Sequence, residues 1–214
     1  MDEPYTLKYS RRNLPHWLVA DHSYFVTLRL KGSLPKHVVE ELRAQRQALV
    51  DCETDEEQTL QLAREQFATV ERILDSVADV QWLKNQAVAQ IVWESLDWLR
   101  GRGWLIYAGV LMKNHIHLLM RNEDGRTQAL LEDLARFKNY TAREANKVLG
   151  RSGSFWARED FDHWIRTREK FEGTVRYIAN NPVKAGLVST WRDWKWCVVD
   201  ESVRFCLGGG KAST

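Results

Sequence analysis

Three short runs rich in apolar, β-branched and aromatic residues predict β-strands. They cover residues 24–30, 104–110 and 112–120. The last two follow each other so closely that they predict a hairpin, with its turn near residues 112–114. Successive side chains of a strand point to opposite faces. His115 and His117 therefore share one face of their strand, and the apolar residues that alternate with them share the other.

Apolar residues at helical spacing predict helices between and after these strands. The first predicted helix begins near Pro35, the second crosses the segment 51–80, and the third runs from Gln81 to Arg100. The fourth runs from Thr127 to Leu149, and the fifth runs from Thr167 and ends before Pro182. A short strand is expected within residues 151–166, and residues 1–22 are expected to be irregular. This order of elements predicts an α+β fold of the ferredoxin-like kind. In it an antiparallel sheet carries helices on one face, with residues 51–80 as a helical insertion.

The chain has 214 residues, enough for one domain with a sizeable core. We expect that domain to cover residues 1–200 and residues 201–214 to form a disordered tail. No apolar run approaches the roughly 18 residues of a membrane span and no charged-then-apolar leader is present, so a cytoplasmic protein is expected. The cysteines are odd in number and lack C-x-x-C spacing, which favours neither a disulfide framework nor a zinc site. They are Cys52, Cys197 and Cys206.

Charge is distributed unevenly along the chain, although the net charge is only +2. Residues 1–100 carry 12 basic and 16 acidic groups, whereas residues 101–214 carry 19 and 13. Residues 51–80 alone carry 2 basic and 9 acidic groups. This asymmetry indicates a side that faces a polyanion, in the half that holds the two histidines, and a solvated acidic appendage.

The pair His115 and His117 is the first candidate for chemistry. Neutral imidazole is the commonest metal-binding side chain, so two imidazoles on one strand face are a plausible half of a metal site. A surface or cross-strand pair without a metal fits the same three residues. The triplet alone leaves both interpretations open.

Tyr177 is the second candidate, because it lies at the edge of the buried face of the last helix. Asn181 is four residues on and neighbours it along that edge, while Gly173 one turn earlier leaves open room beside the phenol. A tyrosine so placed is half-sheltered with its hydroxyl available. A boundary tyrosine with a satisfied hydroxyl fits the wheel as well.

These two segments carry a resemblance to a known family. His115-Ile116-His117, preceded by Asn114 and followed by two leucines, resembles the His-hydrophobic-His (HUH) motif of single-tyrosine DNA transposases. The stretch YIANNPVKAGLV, residues 177–188, is similar to the tyrosine helix of the REP-associated tyrosine transposases. Residues 155–166 resemble the segment before that helix, and the likeness covers about residues 10–50 and 100–195. The acidic segment 51–80 departs from the family, because it is longer than the usual connection.

The resemblance implies an enzyme that cleaves single-stranded DNA at or beside a short hairpin, using Mg²⁺ or Mn²⁺. His115 and His117 would then be metal ligands, and Tyr177 the nucleophile that forms a 5′-phosphotyrosine link. Asn181 stands where relatives place a third polar ligand, commonly glutamine, and is one methylene shorter. Asp162 and His163 are alternative ligands.

Basic residues flank both motifs and are predicted to contact DNA phosphates, while Trp156 and Trp164 could stack on unpaired bases or pack in the core. The predicted DNA contacts are Arg11, Arg12, Arg158, Arg166, Arg168, Arg176, Lys184 and Trp156. The expected partner is hairpin-containing single-stranded DNA in the nucleoid, and the expected state is a monomer or homodimer. Two rival interpretations remain, namely a non-catalytic protein that holds DNA hairpins and a metal-dependent phosphoesterase that uses water.

Overall fold

The computed structural model describes residues 6–11, 15–19, 21–51, 56–76, 79–158 and 161–208. The strands are β1 (Thr6–Arg11), β2 (Pro15–Val19), β3 (Tyr24–Arg29), β4 (Trp104–Leu111), β5 (His115–Asn122), β6 (Phe161–Trp164) and β7 (Cys197–Val199). The α-helices are α1 (Lys36–Asp51), α2 (Glu56–Ser76), α3 (Gln86–Glu94), α4 (Leu96–Arg100), α5 (Leu130–Val148) and α6 (Arg168–Lys184). Short 3₁₀ helices cover Trp82–Lys84, Thr127–Ala129, Trp191–Asp193 and Glu201–Leu207.

The centre of the fold is a five-stranded antiparallel sheet in the order β6-β3-β5-β4-β7. The predicted α+β class is confirmed. Strands β3, β4, β5 and β6 follow one another in the β-α-β-β-α-β sequence that the elements predicted. The β4–β5 hairpin closes where the Met112 amide donates to the His115 carbonyl at 2.8 Å, so β5 starts with the histidine pair.

Helices cover both faces of the sheet, whereas the sequence analysis placed them on one. The connecting helices α3, α4 and α5 pack on the face that carries Ile116, Leu118 and Met120. Helix α6 follows the last of the four core strands and packs on the opposite face, with Phe25 and Leu119. The physical reason is that β3 is buried along its whole length, so apolar residues on both faces need cover.

The predicted element boundaries differ from the structure in two helical segments. The helix expected over Gln81–Arg100 is interrupted at Ser95, whose hydroxyl donates to the Ile91 carbonyl at 2.7 Å and competes with the helical pattern. Helix α6 continues through Pro182 to Lys184, because a proline in the last turn removes only one amide donor and its ring is buried.

Both ends of the chain contain more regular structure than expected. Strands β1 and β2 form a two-stranded ribbon in the region predicted to be irregular. At the other end, Glu201–Leu207 is helical rather than part of a disordered tail. Val203 and Cys206 are buried in the core cluster that α6 shares, and this burial holds the segment in place.

No helix in the described part of the chain combines the length and the apolar character needed to cross a bilayer. Cys197 and Cys206 both carry free thiols, while Cys52 lies outside the described side chains.

Asp133 on α5 links that helix to the sheet through hydrogen bonds, and its replacement is expected to lower stability. Its fully buried carboxylate accepts hydrogen bonds from Trp104 Nε1 and from Arg102 Nε, both at 2.9 Å. Asp133→Ala would leave a buried indole N–H without its acceptor, so we expect a loss of about 2–4 kcal/mol of unfolding free energy in urea titrations. Glu132→Ala is the matched control, since its exposed ion pair with Arg136 is worth about 1 kcal/mol or less. Equal losses for both variants would contradict the prediction.

Candidate active site

The two histidines of β5 lie side by side on the sheet face that α6 covers. Their ring centroids are 4.5 Å apart, and the exposed fraction is 1% for His115 and 0% for His117. Directly across the ladder, Thr27 pairs with His117 and Arg29 with His115. Cross-strand partners share a face, so a buried arginine accompanies the imidazoles.

Hydrogen bonds to both Nδ1 atoms orient the two rings. The Asn114 amide donates from Nδ2 to the Leu74 carbonyl at 3.1 Å, which turns its Oδ1 toward His115 Nδ1 at 2.8 Å. Because that oxygen can only accept, His115 Nδ1 carries the proton and Nε2 keeps its lone pair. His117 Nδ1 lies 2.8 Å from Thr27 Oγ1. Such outer bonds are the ones that fix metal-binding histidines.

A carboxylate from the acidic insertion joins the histidines, which the sequence analysis missed. Glu71 Oε2 on α2 lies 3.1 Å from His117 Nε2, and Glu71 is only 7% exposed. A signal for it exists in the sequence. Phe67, Val70 and Leu74 form the apolar stripe of α2, and Glu71 falls within that stripe rather than on the solvated face.

Tyr177 points into the same group of side chains. Its hydroxyl donates a hydrogen bond to Glu71 Oε2, and its ring centroid lies 5.5 Å from that of His117 and 5.9 Å from that of Phe25. The phenol is half-buried, as its position on the helical wheel predicted. The room expected beside Gly173 is present, since a Cβ there would meet nothing within 4 Å.

The charges of this group follow from burial and proximity. Burial alone would raise the pKa of Glu71, but the attraction of the adjacent His117 outweighs it and lowers that pKa to about 2. Burial lowers the pKa of His115 to about 3, and the neighbouring His117 acts in the same direction. At neutral pH Glu71 is therefore a carboxylate and His115 a neutral imidazole, which is the form that binds metals.

The donor atoms at this site suit a divalent cation. Nε2 of His115 and Oε1 of Glu71 are both buried without a hydrogen-bond partner, and Nε2 of His117 has the Glu71 carboxylate as its contact. Native proteins rarely leave buried polar atoms without a partner, and a bound ion would satisfy the two unpartnered atoms. Imidazole nitrogen and carboxylate oxygen are both ligands of divalent cations in proteins. Among the described residues no group of three or more His, Cys, Asp or Glu side chains is arranged to hold a metal ion, so these side chains would have to shift to bind one together.

Comparison with known proteins finds a curated relative of this chain. No model of a known protein family matches the chain. A curated protein of Haemophilus influenzae (strain ATCC 51907 / DSM 11121 / KW20 / Rd), named provisionally as a REP-associated tyrosine transposase, is 28% identical over 102 residues. The match covers 44% of this chain and 58% of that protein, so the chain spans less than two thirds of the relative's length.

The chain is similar to REP-associated tyrosine transposases, as its motifs predicted. One solved structure is described as a REP-associated tyrosine transposase bound to a REP hairpin. It is 18% identical to this chain, with a TM-score of 0.49, over 89% of this chain and 82% of that one.

The predicted third ligand, Asn181, is buried on α6 and bonds to its own helix. Its Nδ2 donates to the Tyr177 carbonyl at 3.2 Å. The carboxylate beside the histidines comes from Glu71 instead. Asp162 and His163 belong to β6, and their side chains lie outside the part of the chain that the structure describes.

The basic residues that the sequence predicted to contact DNA phosphates differ in their surroundings. Arg158, Arg166 and Lys184 are exposed. Arg168 and Arg176 are also exposed but are both ion-paired with Glu172, at 2.8 and 3.8 Å. Lys184 is seven residues after Tyr177 and thus lies on the same side of α6. Arg11 ends β1 and its side chain is not described, while Arg12 lies outside the described residues.

Trp156 belongs to the core and not to a base-stacking surface, which corrects one predicted DNA contact. It is 5% exposed, and its Nε1 donates to Thr141 Oγ1 on α5 at 2.9 Å. A ring buried in this way has no free face for a base. Trp164 is half-buried, and the guanidinium of Arg166 lies over its ring at 4.7 Å from the centroid.

Proposed function

We propose that this chain is a metal-dependent single-stranded DNA endonuclease and strand transferase that acts at hairpin sequences through a 5′-phosphotyrosine intermediate. The observation that carries the proposal is the meeting of Tyr177, from the last helix, with the histidine pair of the central sheet. The Tyr177 hydroxyl donates a hydrogen bond to the same Glu71 oxygen that lies 3.1 Å from His117 Nε2. A lone phenol beside two buried imidazoles provides a nucleophile and half of a ligand set in one place.

His115 and His117 would hold the divalent ion through their Nε2 atoms, in orientations that Asn114 and Thr27 maintain. Such an ion, when bound, polarises phosphate oxygens and stabilises the charge that develops on them. Arg29, which lies across the ladder from His115, adds a positive charge that suits a phosphodiester on the same face.

Tyr177 performs the covalent step in this proposal. Its oxygen attacks the scissile phosphorus in line with the departing 3′-oxygen, and its proton is lost to solvent. The new bond joins Tyr177 to the 5′-phosphate, while the old phosphorus–oxygen bond breaks to leave a 3′-hydroxyl. A free phenol has a pKa near 10, so it needs a positive environment to react as phenolate at neutral pH. Because the link is itself a phosphodiester, another 3′-hydroxyl can reverse the step and join strands.

The DNA hairpin is proposed as the substrate because the tyrosine-helix motif resembles this branch of transposases and the relative's name associates it with REP sequences. Basic side chains on the protein surface would contact the phosphate backbone of the DNA. Of those predicted, Arg158, Arg166 and Lys184 are exposed and suited to bind phosphates.

The decisive experiment follows the two ends of the cleaved strand. A single-stranded hairpin oligonucleotide is labelled at its 5′ end in one sample and at its 3′ end in another, and each is incubated with the full chain and Mn²⁺. On a denaturing gel we expect the 3′ label to migrate with the protein and the 5′ label to appear on a free fragment. Two free fragments would indicate water as the nucleophile, and binding without cleavage would indicate a hairpin-holding protein.

A further inference from the structure

We propose that Glu71 is the third protein ligand of the divalent ion, and that its coordination releases the Tyr177 phenol for attack. The inference rests on the proposed metal-dependent function and adds a role for the acidic insertion. Helix α2 would thus supply part of the active site instead of serving only as a solvated appendage.

Glu71 lies close to His117 in the core of the site. Glu71 Oε2 and His117 Nε2 are 3.1 Å apart in a buried setting, so the carboxylate and the imidazole already face each other at ion-pair distance. Imidazole nitrogen and carboxylate oxygen are both metal-binding atoms, and at this distance both could become ligands of one cation.

Two donor atoms beside that contact are unused, because Glu71 Oε1 and His115 Nε2 are buried without a hydrogen-bond partner. A carboxylate and two imidazoles would supply three ligands to an ion, which could still bind phosphate oxygens. Glu71 has a negative charge and contacts His117. Asn181 is uncharged, and its amide donates a hydrogen bond to the Tyr177 carbonyl instead.

Tyr177 would share Glu71 with the ion. Its hydroxyl donates to Glu71 Oε2, the oxygen nearest to His117. A carboxylate oxygen that coordinates a cation would be a weaker hydrogen-bond acceptor, so an ion bound to Glu71 would weaken its hold on the phenol. The same residue thus holds the nucleophile in place before the ion binds and frees it afterwards.

The position of Glu71 depends on the docking of α2. Besides Glu71, that helix offers the Leu74 carbonyl, which accepts from Asn114 and so helps to orient His115. Gln66 Nε2 ties α2 to α1 through the Leu42 carbonyl at 3.2 Å. The insertion therefore reaches the metal site at two points, one turn of helix apart.

The test measures metal binding directly, without DNA. Mn²⁺ is titrated by calorimetry into the full chain, into Glu71→Gln and into Glu65→Gln, an exposed glutamate on the same helix. Losing an outer partner of a metal ligand costs about 10–100-fold in affinity, so losing a charged ligand should cost at least about 10-fold. We expect that loss for Glu71→Gln and an unchanged affinity for Glu65→Gln. Equal affinity of Glu71→Gln and the unaltered chain would overturn the inference.

A second measurement uses the unaltered fold, in case Glu71→Gln is unstable. The full chain carries 3-fluorotyrosine at position 177, and its fluorine resonance is followed as Mg²⁺ is added. Loss of the hydrogen bond to Glu71 should shift that resonance, and an unchanged resonance at saturating Mg²⁺ would overturn the release of the phenol. The labelled-hairpin experiment tests the proposed function separately. If the chain forms the adduct but Glu71→Gln binds Mn²⁺ as tightly as the unaltered chain does, this inference fails and the proposed function stands.

Discussion

Tyr177→Phe is expected to abolish the covalent protein–DNA adduct and to lower cleavage of a hairpin substrate by about 10⁴–10⁶-fold. The substitution removes the attacking oxygen and leaves the ring, which packs in the cluster with Phe25 and contacts His117. The fold and the affinity for the hairpin should therefore be kept. The measurement is a time course of cleavage with Mn²⁺ on denaturing gels, together with a mobility-shift titration for binding.

Tyr140→Phe is the control for this variant. Tyr140 is 51% exposed on α5, and its hydroxyl is not placed in the site, so cleavage should be unchanged. Cleavage that survives Tyr177→Phe would show that water attacks the phosphate, and the chain would then be a metal-dependent phosphoesterase. An adduct that survives would require another nucleophile.

His117→Ala has the second-largest expected effect, a loss of cleavage of about 10³-fold or more with hairpin binding retained. His117 is the central residue of the site, because it contacts Glu71, Thr27 and the ring of Tyr177. Its removal would leave a single imidazole and would also lower the affinity for Mn²⁺. Cleavage rates at several Mn²⁺ concentrations and mobility shifts measure the two consequences separately.

His37→Ala provides the comparison, since His37 is exposed on α1 and has no contact with the site in the described structure. Its cleavage rate should equal that of the unaltered chain. If His117→Ala lost hairpin binding to the same extent as cleavage, with an unchanged melting temperature, the histidine would position DNA instead of a metal. Undiminished cleavage would remove the histidine pair from the chemistry.

Local patterns sufficed for the elements that carry the two motifs. The run of residues 104–120 predicted the β4–β5 hairpin, because apolar strands separated by a short turn have few other ways to pair. The alternation within β5 then placed both histidines on one face, a consequence of the two-residue period of a strand. The helical period placed Tyr177 at the edge of a buried face in the same way.

The same patterns misassigned residues whose environment depends on distant segments. From its sequence neighbours alone, Trp156 could either stack on a base or be buried, and its contact with Thr141 on α5 decides that it is buried. All helices were placed on one face, because nothing local distinguishes α6 from the helices that connect the strands. Its position follows from the need of Phe25 and Leu119 for cover on the second face.

The sequence by itself determined the strands, the hairpin and the faces on which the histidine pair and the tyrosine lie, because these depend on periods of two and 3.6 residues within one element. Only the tertiary structure decided that Glu71 reaches that pair. Glu71 and Tyr177 are 106 residues apart, and their hydrogen bond exists because α2 and α6 dock on the same face of the sheet. That docking is a balance of buried area and polar pairing over the whole molecule, which no single segment encodes.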